Sequence, residues 1–100
     1  MYTVRVTPHF QQWLDELRDL RAQVRISKRV RLAEQGNLGD WKPVGRTLSE
    51  MRIDVGPGYR LYFERRGLTV IVMLGGGDKS SQRRDIAAAL RLSAEWEFDL

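Results

Sequence analysis

The residues of this chain best suited to chemistry are cations set among carboxylates and hydroxyls at short, regular spacing. Arg60, Tyr62 and Glu64 recur at every second position. Period-two alternation places them on one face of an extended strand, away from Tyr59, Leu61 and Phe63. A mid-strand arginine so placed is either a surface partner of Glu64 or Asp54 or a clamp for an anion. Arg52 lies between Glu50 and Asp54. It can hold phosphate or join a cross-strand charge ladder, but it stays protonated at any ordinary pH and makes a poor general base. Lys79-Ser80-Ser81 stands where a turn leads into a helix. Free backbone N–H groups, two hydroxyls and a lysine make an anion site there; capping by Asp78, Ser80 or Ser81 alone accounts for the same residues. Trp41 beside Lys42 has two readings, a platform for a nucleobase or a cover over a sheet edge. Gly75-Gly76-Gly77 lacks the spacing of a nucleotide-binding loop.

Composition narrows the partners. Seventeen Lys and Arg against 13 Asp and Glu give a net charge of +4, a field that favours polyanions such as nucleic acid, or an acidic protein. Fourteen of the cations are arginine, the side chain shaped for bidentate contact with phosphate or carboxylate. The absence of cysteine excludes a disulfide framework and cysteine-based zinc sites. A single histidine, His9, argues against a histidine-rich metal site or a His-centred triad, and no cofactor is implied. No apolar run approaches the roughly 18 residues that span a bilayer. The N-terminus lacks the pattern of a secretory signal, so the cytoplasm is the default expectation.

The elements that must position these residues read as one domain over residues 1–100. Tyr2, Val4 and Val6 alternate with Thr3 and Arg5 as a short strand. Thr7-Pro8 starts a helix carrying Phe10, Trp13, Leu14 and Leu17 on one side. A second helix runs from about Leu20 to Glu34, with Ala22, Ile26, Val30 and Ala33 as its apolar stripe and an Arg/Lys-rich solvated face. Gly36 ends it. The two form a hairpin or one long kinked helix. Residues 35–47 read as a Gly-rich connecting loop. Three strands follow, Leu48–Val55, Tyr59–Arg65 and Leu68–Leu74, and Gly75 to Asp78 breaks the last. A helix from Gln82 to about Ser93 closes the domain, and Trp96 and Phe98 lie in an acidic tail. The order β-α-α-β-β-β-α predicts an α+β fold, an antiparallel sheet packed on an N-terminal helical hairpin with a C-terminal helix.

Four segments carry a resemblance. Gly36-Asn37-Leu38-Gly39-Asp40 with Lys42-Pro43-Val44-Gly45, Glu50-Met51-Arg52-Ile53-Asp54, Gly56-Pro57-Gly58-Tyr59-Arg60-Leu61-Tyr62-Phe63, and Gly76-Gly77-Asp78-Lys79-Ser80-Ser81-Gln82 with Asp85-Ile86 stand in order and at fixed spacing. Together they resemble the RelE/ParE toxin superfamily, most closely its HigB-like, addiction-module killer branch. The resemblance implies a type II toxin, neutralised by an adjacently encoded antitoxin with a DNA-binding part, such as a helix-turn-helix. It implies one of two targets, mRNA cut on the ribosome without metal or, in ParE-type relatives, DNA gyrase. A degenerate toxin serving only as an antitoxin-binding module is a third expectation.

For RNA cleavage the resemblance matches Arg60 and Lys79 to basic residues at the scissile phosphate, and Arg52, where relatives often carry lysines, joins them there; Ser80, Ser81, Lys42, Trp41 and Tyr62 read from their own positions as RNA or phosphate contacts. The chain departs from catalytic relatives in having no Tyr or His from Gln82 onward. Tyr62, Asp85 or Asp54 would have to carry the proton.

Overall fold

A computed structural model describes residues 2–68 and 70–95. In chain order these form β1 (Thr3–Val6), α1 (Pro8–Asp15), α2 (Leu20–Glu34), β2 (Trp41–Gly45), β3 (Leu48–Ile53), β4 (Tyr59–Arg66), β5 (Val70–Asp78), a 3-10 turn at Lys79–Ser81, and α3 (Gln82–Glu95). The five strands make one sheet in the order β1-β5-β4-β3-β2. Strand β1 runs parallel to β5, and the other neighbours are antiparallel. The sheet is therefore mixed, and the expectation of a wholly antiparallel one is corrected. The helical hairpin between β1 and the meander carries the chain back so that β1 enters alongside the last strand.

Local chemistry explains the hairpin. Thr7 caps α1 by accepting from the Phe10 N–H at 3.1 Å, while its own hydroxyl donates to the Met73 carbonyl at 2.9 Å. One buried threonine thus starts a helix and ties it to β5. Asp19 caps α2 through the N–H groups of Arg21 and Ala22, which separates two helices rather than allowing one kinked rod. The Gln23 side chain donates to the carbonyls of Leu14 and Leu17 and holds the turn. At the other end Gly36 takes φ +91°, and Asn37 N–H reaches back to the Leu32 carbonyl at 2.9 Å, a Schellman stop.

Two expectations about irregular segments are overturned. Residues 41–45 form an edge strand rather than part of a loop, paired with β3 from Trp41↔Met51 to Gly45↔Leu48. Pro43 disguised it, since proline lacks an N–H for the ladder and is tolerated only where one side of the strand is open. Glycines 75–77 continue β5 to Asp78 instead of breaking it. Their smallness serves close approach: a Cβ on Gly76 would lie 2.3 Å from the Trp13 ring, and one on Gly77 only 1.8 Å from the Asp85 carboxylate. Glycine in a strand often marks such a contact.

The sheet is covered on both faces. Phe10, Ala22 and Ile26 of the hairpin pack on Met51, Leu61, Phe63, Ile71 and Met73, and Trp13 joins this core as expected. On the reverse face Ala89 of α3, with Ile86 and Leu90, packs on Leu48, Tyr62, Val72 and Leu74. Alternation along β4 holds as read: odd positions face the hairpin, and Arg60, Tyr62 and Glu64 face α3. No helix among the described residues is long and apolar enough to cross a membrane. Trp96 and Phe98 lie outside the described residues.

Glu64 is buried beneath α3 and accepts hydrogen bonds from Thr47, Ser93 and Arg66. Burial pushes its carboxyl up, but these three donors and the Arg66 charge outweigh burial and hold it below the ordinary value of 4.5. A depressed folded pKa contributes stability that is present above the unfolded value and lost as pH falls through the folded one. Thermal melts should therefore show stability falling below about pH 4.5, and Glu64→Gln should flatten that limb. The same substitution should cost about 2 kcal/mol at neutral pH, because it leaves buried donors poorly matched.

Candidate functional site

Register decides which cations meet. Arg52 and Arg60 are direct cross-strand partners in the β3–β4 ladder, so their side chains leave the same face at neighbouring points. One row along, Lys42 pairs with Glu50, and Glu50 with Tyr62. Lys42, Glu50, Arg52, Arg60 and Tyr62 thus share the face that carries α3. Lys79 follows Asp78, the register partner of Tyr59, which sets it at the start of α3 beside the Arg60 row. Of the residues expected from sequence to surround a phosphate, Arg52 and Arg60 meet at one end of this face, and Lys79 follows the strand partner of Tyr59.

Two like charges directly opposite each other need counter-charges, and each arginine has its own. Arg52 donates to Asp40 at 2.8 Å. That hydrogen bond, with the charges of Arg52, Arg29 and Arg60, holds the Asp40 carboxyl below its usual range against the opposing effect of burial. The partner of Arg52 is therefore Asp40, from the segment before β2, rather than either carboxylate flanking it in β3. Arg60 pairs with Glu50, its Nε lying 3.2 Å from Oε2, and not with Glu64 or Asp54.

Glu50 is the buried counter-ion that sequence reading missed. Its spacing suggested an exposed flank of Arg52, yet it is 0% exposed. Gln82, the first residue of α3, donates to its Oε1 at 3.1 Å. Buried carboxylates are rare unless paired, and here the pairing links two strands to a helix start. The only hint in the sequence is its even spacing with Leu48, an apolar residue on the same strand face.

Other expected contacts are placed differently. Tyr62 is fully buried under α3. Burial first, then the charges of Glu50 and Asp85, push its phenol well above the ordinary value, so it stays protonated and serves no role as a base. Ser80 and Ser81 do not form an open anion cradle. Ser80 donates its N–H (2.8 Å) and hydroxyl to Asp78, and the Ser81 hydroxyl donates to Asp85 at 2.5 Å. Carboxylates already take these donors, which favours the capping reading. Trp41 is on the opposite face from Lys42, packed at 6.0 Å from the Phe63 ring, and so is separated from the arginine pair by the sheet itself. Arg29, read as part of a solvated helix face, reaches inward and donates to the carbonyls of Arg52, Leu38 and Asp40. It fixes the segment that carries Asp40, and Gly39 (φ +64°) leaves room for its guanidinium.

Glu50 Oε2, Arg52 Nε, Arg60 Nε and Tyr62 Oη are buried without a hydrogen bond of good geometry among the described residues, and Arg29 Nε beside them is a fifth. Glu50 and Arg60 touch as ions, but their alignment leaves directional capacity unused. Buried polar groups are normally satisfied, and the first four of these atoms belong to residues of one sheet face. Around them stand Lys42, Lys79 and Arg83 at the surface. The arrangement can grip a tetrahedral anion between two guanidinium groups and present a carboxylate to it.

Removing one partner of a buried pair leaves the other uncompensated. Glu50→Ala should therefore cost about 3 kcal/mol in urea unfolding, whereas Glu50→Leu combined with Arg60→Leu should cost clearly less than the sum of the single changes.

No family model matches the chain. An uncharacterized protein of Haemophilus influenzae is 40% identical over 92 residues, covering 92% of this chain and 93% of that protein. Among solved structures, a chain of the toxin–antitoxin complex RelBE2 from Mycobacterium tuberculosis superposes with a TM-score of 0.61 at 25% identity, over 78% of this chain and 98% of that one. The chain thus belongs to one family with the Haemophilus influenzae protein and has a RelE-like α+β fold.

Proposed function

We propose that this chain is the toxin of a type II toxin–antitoxin system, of the HigB-like branch, and that it cuts mRNA on the ribosome as a metal-independent endoribonuclease. The observation that carries the reading is the Arg52–Arg60 cross-strand pair set over a buried carboxylate. The likeness to a chain of the RelBE2 complex supports the toxin assignment and an antitoxin partner encoded beside it.

The chemistry follows from the geometry. A ribose 2′-hydroxyl attacks the adjacent phosphorus, the bond to the 5′-oxygen breaks, and negative charge grows on the phosphoryl oxygens. Arg60 and Arg52 offer planar pairs of N–H donors to those oxygens. As Arg60 transfers from Glu50 to the phosphate, the Glu50 carboxylate becomes available to accept the 2′-hydroxyl proton, and the leaving 5′-oxygen takes its proton from water. Lys42, Lys79 and Arg83 supply the sequence-independent attraction for the RNA backbone.

A second reading has one observation behind it. Tyr62 is buried, and the hydroxyls of Ser80 and Ser81 are committed to carboxylates. This leaves the site short of a ready proton donor, as suits a gyrase poison of ParE type that needs none. Mapping RNA 5′ ends after induction separates the two. Cleavage within translated codons is expected for the wild type, lost in Arg60→Ala and reduced about 100-fold in Glu50→Gln, the usual size of a proton-transfer contribution. Cleavage that persists in Arg60→Ala would remove the clamp from the mechanism. DNA breaks with intact mRNA would select the gyrase reading.

A further inference from the structure

A concavity lies on the other side of the sheet from the arginine pair. It has a volume of about 520 Å³, and its wall includes Tyr2, Trp41, Pro43, Arg46, Arg65 and Leu68. The proposed reaction uses none of these residues. Alternation separates the two surfaces: Lys42 faces Arg60, while Trp41 and Pro43 face this groove. A volume of that size accommodates several side chains.

Its chemistry is one-sided. Two arginines contribute to the wall, and none of the described residues lining it is acidic. The Arg65 guanidinium sits over the Trp41 ring, 5.0 Å from its centroid. A guanidinium stacked on an aromatic face keeps its in-plane N–H donors for a carboxylate. That stacking also covers one face of the indole, and Phe63 abuts its edge. A nucleobase seeking Trp41 as a platform would have to compete with Arg65, so the groove suits a carboxylate better than a base. Arg46 occupies the β2–β3 turn at φ +46°, the one described non-glycine residue with positive φ. Such backbone strain persists where the surroundings hold a residue in place. At the rim Leu68 is 92% exposed, an apolar side chain open to a partner.

We infer that this groove seats an extended acidic segment of the antitoxin, its carboxylates on Arg46 and Arg65 and an apolar side chain against Leu68 and Pro43. The inference rests on the toxin reading. The antitoxin thereby grips the molecule from behind the site, and the scissile-phosphate face need not supply the affinity.

The test is calorimetric titration of the full chain with the protein encoded by the adjacent reading frame. Arg46→Glu with Arg65→Glu should weaken binding at least 10-fold. Leu68→Asp, at a position too exposed to affect folding, should weaken it about 5-fold. Arg21→Glu with Arg25→Glu, an equal change in net charge on the outer face of α2, should stay within twofold of wild type. Wild-type affinity in both the double groove variant and Leu68→Asp would overturn the groove while leaving the toxin pairing intact. Failure of the wild type to bind that protein would instead overturn the pairing, and the groove assignment with it. An oligouridylate that moves the Trp41 indole N–H resonance, where the adjacent protein does not, would reassign the groove to RNA.

Discussion

The carboxylate of Glu50, enclosed between Arg60 and Gln82, is the constraint on which the arrangement of this face depends. Taking a charge out of water costs several kcal/mol, a cost recovered only when a partner charge and a donor arrive in good position. Glu50 therefore demands that β3 and β4 hold their register and that α3 begin above them. A shift of one residue in β4 would turn Arg60 to the hairpin side and leave the carboxylate alone, and the same shift in β3 would turn Glu50 away from both partners. The pair is less a source of stability than a condition on geometry, and the same geometry sets Arg52 beside Arg60.

A ring of supporting contacts keeps that condition satisfied. Arg29 reaches from α2 to three carbonyls around Leu38, Asp40 and Arg52, so the counter-charge of Arg52 is delivered by a helix on the other side of the sheet. Thr7 and Gly76 hold α1 against β5, and Gly77 lets Asp85 of α3 approach the same strand from the reverse face. Strand β5 is thus gripped from both sides exactly where its side chains vanish. The glycine run works as a narrow waist between two helices, which is why it remains a strand.

The sheet also sorts the molecule into two basic surfaces of different character. One combines arginines with a buried carboxylate. The other combines arginines with aromatic and exposed apolar side chains, the mixture common in protein interfaces. A net charge of +4 gave no means of dividing the cations between them. Strand parity divides them, since Lys42 and Trp41 are neighbours in the chain and stand on opposite faces.

What the sequence determined by itself was whatever depends on local periodicity and caps. Both hairpin helices, the Gly36 stop, the alternation of β4 and the composition of the hairpin-side core follow from spacing, because burial of an apolar stripe acts within each element separately. The basic residues of this face were legible as types, and Arg60 was placed on its correct face. Tertiary structure decided the rest. Whether Glu50 is a surface flank or a buried counter-ion, whether Pro43 lies in a loop or an edge strand, and whether three glycines end a strand or thin it all depend on what arrives from distant segments. Those partners, Gln82, Ser49 and the pair Trp13 and Asp85, are set by register and layer packing, and neither is written in any local pattern.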